Sequence, residues 1–88
     1  MYDLYKKYLK LKARYKDKLV FYRLGDFYEI LGEDAEIASK ELNLMLTSRQ
    51  CGEAERVQMC GVPHHTLNKY LEILVEKGYK IAVCEELV

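Results

Sequence analysis

No apolar stretch in this 88-residue sequence exceeds four residues, the length of Leu19-Val20-Phe21-Tyr22. A membrane-spanning helix needs roughly 20. The N-terminus, Met1-Tyr2-Asp3-Leu4-Tyr5-Lys6-Lys7, has no apolar core of the secretory type, so the expected location is cytoplasmic. Cysteines are few and odd in number, at 51, 60 and 84, with no Cys-x-x-Cys pair. That argues against a disulfide framework and for a reducing compartment. Cys60, His64 and His65 are the only cluster with metal-ligand chemistry, and their spacing fits no zinc pattern. The five glycines are scattered singly, so there is no Gly-rich phosphate loop. Ser48 lacks the Gly-x-Ser-x-Gly elbow of a nucleophile. Carboxylates are numerous, but no pair stands out from the general charge. An enzyme is therefore not expected.

What is present is a globular chain of one domain, residues 1–88, half of it hydrophobic. A chain of this size buries only about 60–65% of its unfolded surface, which leaves no room for a large enclosed cavity. Net charge is zero, from 14 basic and 14 acidic residues, but the two signs are separated. Residues 1–24 hold eight basic and two acidic groups; residues 25–88 hold six basic and twelve acidic ones. Such a split fits either a basic face for an anionic partner or a solvated amphipathic helix.

Periodicity gives the order α-β-β-α-β-β-α-β. Residues 2–15 read as a helix on Tyr5, Tyr8, Leu9 and Leu11. Leu19–Leu24 and Phe27–Leu31 read as strands, joined as antiparallel neighbours through Gly25-Asp26 or continuous through a bend. Glu33 and Asp34 open a second helix with Ala35, Ala38 and Leu42 on its apolar face, ending near Asn43. Leu44–Thr47 is a third strand, Arg49–Glu55 a loop, Val57–Cys60 a fourth strand and Gly61-Val62-Pro63 a turn. Leu67, Tyr70, Leu71 and Leu74 define the last helix, with Thr66 as N-cap and Gly78 as the left-handed stop. Tyr79–Cys84 completes the set. The expected fold is α/β of the α+β type: a mixed, five-stranded sheet flanked by three helices.

Alternation along Phe27-Tyr28-Glu29-Ile30 puts Phe27 and Glu29 on one face and Tyr28 and Ile30 on the other. If the second pair is core, an aromatic ring and a carboxylate point outward together beside a glycine turn. Aromatic wedges kink DNA from the minor groove by entering base steps. On the pattern alone, the favoured reading is a core Phe27 and a solvated edge Glu29, paired by accident.

Tyr8-Leu9-Lys10-Leu11-Lys12, then the run Asp17 to Gly25-Asp26-Phe27-Tyr28-Glu29, resemble the start of the MutS mismatch-repair family. The resemblance continues through Asp34-Ala35, Ala38-Ser39, Leu46-Thr47-Ser48-Arg49, Met59-Cys60-Gly61-Val62-Pro63-His64-His65, Tyr70-Leu71 and Lys80–Glu85. It implies that Phe27 stacks on a mispaired or unpaired base from the minor groove while Glu29 hydrogen-bonds it. It also implies that Arg49 lies near the DNA, and that Met59 either approaches the minor groove beside the wedge or is a core side chain. His64 and His65 match a structural turn. The implied partner is duplex DNA with mismatches or small unpaired loops, with other MutS-type domains or a separate ATPase as further partners, and no membrane. No cofactor is implied for this chain, since ATP and magnesium belong to the family's ATPase domain, whose phosphate loop this sequence lacks. Gln58 stands where many relatives have proline, and the sequence stops after Glu85-Glu86, where relatives add a strand before a connector domain. Both an excised domain and a free-standing relative fit, the latter slightly better. A protein-interaction or regulatory module that keeps the fold without sensing mismatches is the alternative function.

Overall fold

The computed structural model describes residues 2–51 and 56–85. Helix α1 (Tyr2–Arg14) is followed by strands β1 (Leu19–Leu24) and β2 (Phe27–Leu31). Helix α2 (Gly32–Leu42) comes next, then β3 (Thr47–Gln50) and β4 (Arg56–Pro63). A single 3-10 turn (His64–Thr66), helix α3 (Leu67–Glu76) and β5 (Ile81–Cys84) complete the described part. The five strands form one sheet in the order β3-β4-β2-β1-β5. Only β1 and β5 are parallel; every other neighbouring pair is antiparallel. This is the mixed sheet with three helices that the sequence predicts.

Both sheet faces carry apolar residues, and each recruits helices. On one face Phe21, Tyr28, Ile30, Cys60 and Val62 pack under Ala35, Ala38 and Leu42 of α2 and Leu74 of α3. On the other, Val20, Tyr22, Leu31, Val57 and Met59 pack under Leu4 and Tyr8 of α1. Leu9, expected in the α1 stripe, is 47% exposed; the buried stripe runs through Leu4 and Tyr8 instead. Asp34, in the first turn of α2, is 4% exposed and ties three elements together. Its Oδ2 accepts the Val20 N–H at 3.0 Å, its Oδ1 pairs with Lys12 Nζ at 3.0 Å, and the Tyr8 hydroxyl lies 3.3 Å away. That hydroxyl donates to the Val20 carbonyl. Burial in this setting, then the Asp34 charge, push the Tyr8 phenol strongly up.

The turn chemistry follows the residues. Gly25 takes φ 61° in the two-residue connection between Leu24 and Phe27, the left-handed geometry that tight hairpins demand. Gly78, at φ 93°, ends α3, and the Tyr79 N–H returns to the Leu74 carbonyl at 3.0 Å.

Five local expectations need correction. The third strand is Thr47–Gln50 and not Leu44–Thr47, because the partner strand decides it: Thr47 opposes Met59 and Arg49 opposes Val57. Leu44 packs against the core but Met45 is 88% exposed, so the apolar triplet has no ladder to join. The loop expected from Arg49 therefore begins later, and its residues 52–55 lie outside the described part. Gly61-Val62-Pro63 is no turn but the end of β4, opposite Glu29, Tyr28 and Phe27. Pro63 occupies the last rung, where a missing N–H is tolerated. Thr66 makes no side-chain cap; its hydroxyl donates back to the Pro63 carbonyl at 2.7 Å. The fifth strand begins at Ile81, although the Lys80 carbonyl already accepts the Leu19 N–H at 2.8 Å.

Candidate functional site

Helix α1 covers only part of its sheet face. The register shows what is left open: Leu24, Phe27 and Pro63 in one row, Tyr22, Glu29 and Gly61 in the next. Phe27, Glu29, Met45, Thr47, Arg49, Met59, Cys60 and Gly61 line a shallow groove there. The period of two places Phe27 and Glu29 on this face while Tyr28, 5% exposed, and Ile30 point into the core between the sheet and α2. The Phe27 ring is 43% exposed. Large apolar rings normally avoid water, so this exposure is held by register and not by local preference.

The ring stands at the mouth of a braced turn. Arg23 Nε donates to the Gly25 carbonyl at 2.6 Å, and the His64 N–H donates to the Asp26 carbonyl at 2.8 Å. Beneath it, the Tyr28 hydroxyl donates to Glu85 Oε2 at 2.6 Å, with Arg23 Nη1 3.8 Å from the other oxygen. Strand β2 is the central strand of five, so Glu29 is not the edge charge that one reading of the sequence allows.

Glu29 is half-buried, and desolvation raises its carboxyl above the ordinary range, opposed by the nearby Arg49 charge. Cys60 is pushed up to about 12 by burial first and the Glu29 charge second, so it stays a thiol, its Sγ 3.6 Å from the Ala35 carbonyl. Arg49 is exposed and is the one cation among the groove residues. Met59 belongs mainly to the core: it is 4% exposed and packs among Leu31, Val57 and Tyr8, offering the groove only part of its floor. The four residues singled out from the sequence thus surround one groove, three with accessible side chains.

Two further residues belong to it. Met45 projects from the α2–β3 connection, with no sequence signal to separate it from a strand residue. Gly61 lies directly across from Glu29, and a glycine inside an otherwise β-forming run is the signal that could have marked it. Among the described residues no group of His, Cys, Asp and Glu is arranged to hold a metal ion, and no helix is long and apolar enough to cross a membrane. The groove offers a flat apolar ring, a carboxyl of raised proton affinity and one cation. That set suits a flat, partly polar ligand edge beside negative charge.

Comparison with known proteins agrees in direction. The family described as MutS domain I matches residues 3–87. The DNA mismatch repair protein MutS of Bacillus licheniformis is 56% identical over 80 residues, which is 91% of this chain and 9% of that protein. The proteins of the same name from Bacillus mycoides and Clostridium tetani are 60% and 58% identical over the same coverage. The chain therefore spans under a tenth of the length of these relatives.

Proposed function

Because the chain belongs to the MutS domain I family, we propose that it recognises mispaired or unpaired bases in duplex DNA through Phe27 and Glu29. The observation that carries this reading is the exposed Phe27 ring beside the Glu29 carboxyl, on the half of the sheet that α1 leaves open. Phe27 enters the minor groove, stacks on a poorly paired base and kinks the duplex. Opening a base step costs a few kcal/mol, and less where pairing is already defective. One aromatic–base stack returns about 1–3 kcal/mol. The balance therefore favours a defect over intact duplex, and the deformability of the defect adds to the discrimination.

A carboxylate beside a polyanion needs a reason. Burial already raises the Glu29 proton affinity, and a duplex laid over the groove removes more water and adds negative charge. Both favour the protonated carboxyl, which donates a hydrogen bond to the displaced base. Arg49 supplies a phosphate contact at the groove's edge, and Met59 contributes to its floor.

The test is a low-salt titration with homoduplex, G·T-mismatched and unpaired-T duplexes. Heteroduplex should bind more tightly, and Phe27→Ala should reduce that preference by about 5- to 150-fold, the equivalent of one lost stack. An unchanged preference in Phe27→Ala removes the wedge. The competing reading, a protein-interaction module, draws on the zero net charge, because DNA affinity comes mainly from phosphate contacts. It predicts that no duplex binds even at low salt.

A further inference from the structure

Gly61 and Glu29 face each other across the β2–β4 ladder. Gly25, Gly32 and Gly78 take positive φ, but Gly61 does not, so backbone freedom does not explain a glycine there. Space does. A Cβ built on Gly61 would stand 2.8 Å from Glu29 Oε2 and 3.3 Å from Glu29 Cδ. The Glu29 carboxyl thus lies across the bare backbone of the opposite strand. The remaining close atom is the Tyr28 carbonyl oxygen at 3.2 Å, a backbone atom, so a methyl at 61 also asks for a shift of a few tenths of an ångström in the ladder. Of these atoms, the Glu29 carboxyl is the far end of a flexible side chain, so it is the group that gives way.

We infer that Gly61 is a positioning residue for Glu29: the missing side chain at 61 forms the slot in which the carboxyl lies. Any larger residue turns the carboxyl out of the groove floor toward solvent. The slot does two things at once. It fixes the direction of the carboxyl relative to the Phe27 ring two residues earlier on the same face. It also holds the carboxyl against the sheet, where water reaches it less. The consequence for base recognition rests on the function proposed above, whereas the slot is a property of the free protein. The inference extends the site from side chains that touch the ligand to a backbone position that aims one of them.

Two measurements on Gly61→Ala, Glu29→Ala and the double variant test it. The first is the titration of the Glu29 carboxyl followed by NMR in wild type and Gly61→Ala, without DNA. The midpoint should fall toward that of an ordinary glutamate in Gly61→Ala. An unmoved midpoint overturns the slot. The second is the ratio of heteroduplex to homoduplex affinity. Gly61→Ala should lower it by about tenfold, the scale of a hydrogen bond to an ionisable group. In the Glu29→Ala background, Gly61→Ala should change it by less than about twofold, since the group it aims is gone. Equal losses in both backgrounds would mean that Gly61 acts through the strand and not through Glu29. The double variant removes the close carboxyl contact, so it folds if the single variant is strained by it. Should wild type show no heteroduplex preference, the proposed function fails, while the NMR titration still decides the slot.

Discussion

Glu29 carries a measurable cost in the free protein. Its carboxyl binds a proton more tightly folded than unfolded, because burial penalises the charge. Stability from this group is therefore complete below the ordinary glutamate value of about 4.3 and declines as pH rises through the raised folded value. Glu29→Gln removes that penalty. Thermal melts should show Glu29→Gln more stable than wild type at pH 7, with the gap closing as pH falls through the raised folded value and gone below about 4.3; equal melts at pH 7 would contradict the burial effect. Met45 is the opposite case. It is 88% exposed, so Met45→Ala should leave the melting curve within about 0.5 kcal/mol of wild type. If the groove is the duplex-binding surface, the same variant should weaken duplex binding several-fold in a titration. Phe27 and Glu29 became legible through the family resemblance: a strand's period of two puts them on one face, but only the burial of Tyr28 on the other says which face is core. Gly61 was not legible, because Gly-Val-Pro also spells a turn, and only the cross-strand register shows that a carboxyl occupies the space. Met59 was ambiguous for a similar reason: a methionine on a half-covered face belongs to core and groove together.

At the scale of elements, the key device is the Asp34 junction. It joins α2 to the β1 backbone and to α1, and so fixes how much of the sheet α1 covers. Asp34→Ala leaves the buried Val20 N–H without its acceptor and takes the carboxylate from Lys12, whose ammonium keeps its bond to the Lys18 carbonyl. It should cost about 1–3 kcal/mol in urea denaturation, the range for leaving one buried donor unsatisfied; a loss below about 0.5 kcal/mol would show that water replaces the carboxylate freely. Helix existence and the β1–β2 hairpin were legible, since amphipathic spacing and a Gly-Asp turn are local signals. The position of β3 was not. Leu44-Met45-Leu46 is the more apolar run, yet Thr47-Ser48-Arg49-Gln50 forms the ladder opposite Val57 and Met59, which pack on the α1 face. That non-local choice puts Thr47 and Arg49 on the groove face.

For the whole molecule, charge separation and groove position are distinct features. The basic first helix lies on the same sheet face as the groove but over its covered half, and Arg49 is the one cation among the groove residues. A duplex held by the groove should therefore show a shallow salt dependence. The slope of log K against log salt should be near −1, as for one neutralised phosphate, and should flatten in Arg49→Ala. A slope of several units would bring the α1 lysines into contact with DNA. The overall sheet order was beyond the sequence, because nothing local says that β5 pairs in parallel with β1 and leaves β2 in the middle. That central placement has a mechanical consequence. A ring driven into a base stack recoils along the strand that carries it. Here the recoil passes into a strand clamped by hydrogen-bonded neighbours on both sides, through a turn held by the Arg23 and His64 bonds. To push Phe27 back, the load must shear two ladders at once. If Phe27 is the wedge proposed above, this mount opposes retreat of the ring and directs the load into the deformable base step.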